Sequence, residues 1–177
     1  MGEKENKIYN PADDPMFNEP YIDIDEWREG IVRYHYIHGG FTGTETRFAF
    51  FFPDKEHYKG RFFHFMCPVP GNENAAMAGE GDKITFAIQS GAYFVESNMG
   101  TSASFGGMSD TTLIYRASAA AAEYSRQVAV KLFGEHRPYG YVYGGSGGGY
   151  KTMSCIENTS AWDGAVPFVI GSPIVTD

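Results

Sequence analysis

Hydrophobic positions along the chain follow two regimes, and the change between them near residue 70 points to a fold class. Before the change, apolar and aromatic residues come in short runs. Residues 31–37 alternate through Ile31, Tyr34, Tyr36 and Ile37 up to a turn at His38, Gly39 and Gly40. Residues 46–52 read TRFAFFF and stop at Pro53 and Asp54. Two β-rich runs around a glycine-rich connection predict an antiparallel pair. Residues 61–67, RFFHFMC, predict a third strand, closed abruptly by Pro68, Pro70 and Gly71. Upstream, residues 1–29 are polar, acidic and proline-containing, and read as an arm on the surface.

After the change, helical and strand patterns alternate. Residues 82–89 predict a short helix capped by Asp82, with Gly91 past its end. Residues 92–96 predict a buried strand and 101–108 a Ser/Gly loop. The strongest helix opens at Asp110 or Thr111 and closes before Gly134. Its Leu113, Ala117, Ala121, Tyr124, Val128 and Leu132 recur at steps of three and four, which makes one apolar face. Residues 139–143 predict a strand, 147–158 a second helix and 165–170 a further strand.

Antiparallel strands followed by βαβ units imply an α/β fold, a mixed and mainly parallel sheet with helices on both faces. One domain accounts for the chain: a surface arm over 1–29, antiparallel strands and the third strand over 30–67, and βαβ units over 82–177. An aromatic share of 16% excludes a disordered chain, because such rings offset ordering entropy when buried. The net charge of −8, with no Lys/Arg cluster, argues against nucleic acid and anionic membranes as partners. No apolar run approaches the roughly 20 residues of a membrane span. The start of the chain lacks the apolar core of a signal peptide, so either a cytoplasmic protein or a secreted one with its signal removed is expected. Cys67 and Cys155 lie in apolar contexts without metal-ligand spacing, and read as two buried thiols although one disulfide is possible. Neither a cofactor nor a metal is implied.

Chemistry concentrates at residues 141–149, YVYGGSGGG. Gly144, Ser146 and Gly148 match G-x-S-x-G, in which a serine sits on a sharp turn between strand and helix. The glycines relieve crowding two residues either side of the serine, and the following helix directs backbone N–H groups at developing negative charge. An apolar strand before and a helix-compatible run after agree with that setting. A phosphate loop fits worse, because Tyr150 separates Gly149 from Lys151 where the Walker pattern needs lysine directly after glycine.

Residues 115–173, with their Ala-rich helix, strand, Gly-Ser turn and the run WDGAV leading to GSP, resemble the tannase and feruloyl-esterase branch of the α/β-hydrolases. Residues 58–63, YKGRFF, resemble that branch's strand before the oxyanion loop. Tannases commonly carry Cys before the nucleophile and this chain has Gly145, so the resemblance implies the broader carboxylic-esterase class. It implies Ser146 as nucleophile, with Gly147 N–H as first oxyanion donor by its place after the serine. The second donor is expected from the loop after the third strand. Pro68 and Pro70 lack an N–H, which leaves Val69 ahead of Cys67.

In this fold the acid and then the histidine follow the serine. Glu157, Asp163 and Asp177 follow Ser146 but no histidine does, since all five of them precede it. His35 and His64 read as strand residues and His136 as a solvated turn residue. The expectation is therefore the N-terminal portion of a hydrolase of small-molecule esters, with base and acid from a C-terminal segment or second chain. A binding module that lost its triad, or a peptidase or acyltransferase on the same scaffold, is the alternative. Phe62, Phe65, Tyr93 and Phe105 are candidates for an aromatic pocket, with plain core as the default for each.

Overall fold

The computed structural model describes residues 8–78, 82–102 and 110–170. Within them, seven strands form one sheet: β1 (Pro20–Glu29), β2 (Arg33–Phe41), β3 (Arg47–Phe52), β4 (Arg61–Phe65), β5 (Ala92–Ser97), β6 (Tyr139–Gly145) and β7 (Gly164–Phe168). Their order across the sheet is β1-β2-β3-β5-β4-β6-β7. The first three pairings, up to β3 with β5, are antiparallel, and β5 with β4, β4 with β6 and β6 with β7 are parallel. Four helices accompany it: α1 (Ala75–Ala78), α2 (Lys83–Gln89), α3 (Thr112–Phe133) and α4 (Gly147–Asn158).

The aromatic runs form central strands because both of their faces are covered. Phe48, Phe50 and Phe52 pack on one face with Phe62, Tyr93 and the Ala-rich middle of α3. Ala49 and Phe51 turn to the other face, where Phe94 and the α2 residues Ile84, Ala87 and Ile88 meet them. Alanines 119–122 of α3 are buried, and their small side chains let the helix lie close to the phenyl rings. Asp110 accepts hydrogen bonds from the N–H and hydroxyl of Thr112 at the start of α3, and Asp82 accepts from Thr85 N–H at the start of α2.

The structure departs from the sequence expectations at several points. The arm over 1–29 contains β1, a ten-residue edge strand paired with β2 from Pro20 opposite Phe41 to Glu29 opposite Arg33. None of its residues is buried, and its short Ile-Asp alternation is set in an acidic stretch. Charged residues on such an edge discourage further pairing. Gly39 and Gly40 are not a turn either, because β2 runs through them. A Cβ on Gly39 would stand 1.9 Å from Tyr21 O and one on Gly40 2.6 Å from Thr46 O, so these glycines permit close strand approach. The stretch expected as third strand is fourth in the chain and ends at Phe65. Cys155 is buried while Cys67 is half-buried, and both are free thiols.

The carboxyl ends of the parallel strands lie along one rim of the sheet. From that rim leave the loop after β4, the segment after β5 and the turn from β6 into α4. Open sheets of this kind place ligands outside those ends.

Candidate active site

Ser146 stands between β6 and α4 with φ 54° and ψ −121°, a left-handed backbone that a non-glycine residue adopts only under strain. It is solvent-exposed, and its N–H donates to Phe168 O of β7 at 3.1 Å. Its carbonyl accepts from Gly149 N–H at 2.9 Å and closes the first turn of α4. The N–H groups of Gly147 and Gly148 come before that bond. First-turn amides lack intrahelical acceptors, and the helix dipole adds positive potential there.

Two approaches demand the glycines around it. A Cβ on Gly144 would stand 2.7 Å from Gly148 O, which is the crowding expected within the turn. A Cβ on Gly148 would stand 2.1 Å from Met66 O, so the loop after β4 also presses on the start of α4. That loop continues β4 by one bond, Met66 N–H to Tyr143 O at 2.8 Å. Pro68 O then comes 2.9 Å from the Cβ position of Gly147, which sets Val69 beside that glycine, with its side chain exposed. Gly144, Ser146, Gly147, Gly148 and Val69 thus meet at one corner of the rim.

No base stands with them among the described residues. His64 is fully buried within β4, with neither ring nitrogen hydrogen-bonded among these residues and its ring edge-on to Trp162 at 5.5 Å. Burial pushes its pKa down to about 3. His136 is half-buried rather than solvated, because Tyr58 hydroxyl meets its Nε2 at 2.8 Å beside Phe133. It precedes β6, at the rim opposite Ser146. His57 lies in the turn before β4 at that same opposite rim, and His35 pairs with Asp25. His38 is held between Asp23 at 2.7 Å and Glu73 at 2.9 Å. Asp163 accepts from Gly140 N–H and Arg137 near the start of β6, which also removes it from the serine. Asp177 and Phe105 lie outside the described residues. Phe62, Phe65 and Tyr93 are buried core, as their default reading had it.

The sequence passes over Lys151 except as a failed Walker lysine, yet its ammonium reaches the carbonyls of Cys67 and Pro68. The sequence carries no local signal of this contact, because the helix dipole acts on the first turn and Lys151 is the fifth residue of α4.

No family model and no curated protein matches the sequence. Solved structures do match in shape. A tannin acyl hydrolase from Aspergillus niger superposes with a TM-score of 0.54 at 15% identity, over 83% of this chain and 31% of that one. An esterase from Aspergillus oryzae gives 0.59 at 14% identity, over 84% and 34%. The chain has the α/β-hydrolase fold. Lipase A from Candida antarctica shares this α/β-hydrolase architecture, with a TM-score of 0.57 at 14% identity over 89% of this chain and 46% of its own. The chain therefore spans less than half the length of each of these three α/β-hydrolase structures. Among the described residues, no helix is long and apolar enough to cross a membrane.

Proposed function

We propose that this chain is the nucleophile-bearing portion of a serine hydrolase that cleaves small-molecule carboxylic esters through an acyl-serine intermediate. The observation that carries the reading is Ser146 itself, exposed on a strained strand-to-helix turn with first-turn amides beside it. Structural neighbours that are esterases and lipases support the ester class at the level of fold. Ser146 Oγ attacks the ester carbonyl, forming the acyl-enzyme bond as the alcohol leaves. Gly147 N–H and Val69 N–H bind the oxyanion, and Gly144 and Gly148 keep the turn open.

A hydroxyl without a base is a weak nucleophile. We assign the base and acid to a C-terminal segment or a second chain of the same enzyme. Two observations support this. Among the described residues, β7 is an edge strand whose Val166 and Phe168 are exposed. Beside it, Phe63, Phe86, Tyr141, Tyr143 and Val166 line an apolar groove of about 700 Å³ on the sheet face that α2 covers only in part. Exposed apolar surface and an open edge of this kind are normally covered.

The test is labelling by a fluorophosphonate probe once the chain is joined to its completing polypeptide. Ser146 is expected to carry the probe, and Ser146→Ala to abolish labelling. A folded, completed protein whose Ser146 stays unlabelled overturns the reading. It would then favour a binding module on the same scaffold, the alternative that the missing histidine motivates.

A further inference from the structure

A side chain of α4 reaches back to the loop that carries Val69. Lys151 is half-buried, and its ammonium donates to two successive carbonyls of that loop, Cys67 O at 3.1 Å and Pro68 O. Burial pushes its pKa below the usual lysine value. The two carbonyl dipoles offset the cost of half-burying the charge. The loop also packs Met66 and Cys67 in a cluster with Cys155 and lies against glycine backbone, Met66 O against Gly148 and Pro68 O against Gly147. Such contacts hold the loop close without fixing the rotation of a peptide plane. Two hydrogen bonds converging on one ammonium do fix it.

The described residues contain no cis peptide, so the N–H of Val69 points opposite to the carbonyl of Pro68. Pro68 itself has no N–H. Val69 N–H is thus the amide whose direction follows from where Lys151 holds the Pro68 carbonyl. We propose that Lys151 is the positioning residue of the second oxyanion donor: by binding the carbonyls of Cys67 and Pro68 it sets the direction in which Val69 offers its N–H beside Gly147. The inference rests on the reading of Ser146 as nucleophile and Val69 as donor.

The experiment compares the completed protein with its Lys151→Met and Lys151→Arg variants, by NMR and by fluorophosphonate labelling. Methionine keeps the apolar stem and removes the donors, while arginine keeps charge and donors. In Lys151→Met, the heteronuclear NOE of Val69 is expected to fall. The Gly71 amide, bonded to Asn98 O at 3.0 Å, is expected to exchange roughly tenfold faster or more, the factor for losing charge-assisted hydrogen bonds. The labelling rate of Ser146 should fall by a similar factor, and Lys151→Arg should restore all three. If Lys151→Met does not fold, Lys151→Gln carries the same comparison with fewer donors and no charge. Unchanged Val69 and Gly71 signals in a folded Met or Gln variant overturn the proposal, and so does failure of arginine to rescue. A loop response with no labelling of Ser146 in any form upholds the clamp and overturns the hydrolase reading, so the two failures are distinct.

Discussion

Ser146 holds a backbone that glycine accepts freely and serine does not. Its φ of 54° places Cβ against the neighbouring backbone, at a penalty on the order of 1–3 kcal/mol. Removing the side chain removes that penalty. Ser146→Gly is therefore expected to raise the unfolding free energy by about 1 kcal/mol, read as a higher urea midpoint at unchanged slope, while labelling disappears. A lower midpoint would mean that the serine is not strained in solution. Lys151 is the complementary case, since its value lies in what its ammonium holds, and methionine at that site tests positioning rather than strain. Val69 follows the proline whose carbonyl Lys151 binds, and its own side chain is exposed.

At the scale of elements, α3 and the strand β3 define the core. Ala121 is fully buried against a sheet face built from Phe48, Phe50 and Tyr93, so added methyl groups meet rings with nowhere to move. Ala121→Leu is expected to destabilise by about 1–3 kcal/mol, seen as a lower thermal midpoint, whereas no loss would show slack in that layer. The sequence exposes α3 through its Ala-rich apolar face, and β3 to β7 through their aromatic and apolar runs. The turn at Ser146 is legible because G-x-S-x-G is a local demand of local geometry. β1 is hard to read: its Ile22-Asp23-Ile24-Asp25 alternation is short and set in an acidic stretch, and only its pairing with β2 makes it a strand. Gly39 and Gly40 mislead for a related reason, because glycine marks close approach as readily as a turn, and the approach involves Tyr21, far away in sequence. The Lys151 contact joins α4 to a loop more than eighty residues earlier, and no local pattern encodes such a pairing.

For the molecule as a whole, two buried titratable groups shape stability against pH in opposite senses. His64 has its pKa pushed by burial from an ordinary 6.5 down to about 3. The unfolded chain gains that proton below 6.5 while the fold refuses it, so stability is present above 6.5 and is lost as pH falls toward 3. Glu96 is pushed up by burial from 4.5 to about 8, although Ala76 N–H donates to its carboxyl. Here the fold retains a proton that the unfolded chain has released, so stability is present below 4.5 and is lost as pH rises toward 8. Each group changes stability by at most about 1.4 kcal/mol per pH unit inside its window. His64→Phe is expected to flatten the acid limb of a plot of urea midpoint against pH, and Glu96→Gln the alkaline limb. An acid limb equally steep in His64→Phe would place the proton uptake elsewhere. Such behaviour belongs to the intact core, whereas the turn at Ser146 answers to the rim of the sheet. The N–H of Ser146 hangs from the carbonyl of Phe168, at the tip of a strand with no further neighbour among the described residues. A strained turn keeps its shape only as firmly as its anchor is held, and an unpaired edge strand frays first. The strain at Ser146 is thus a property of the margin of the fold, held no more firmly than β7 itself.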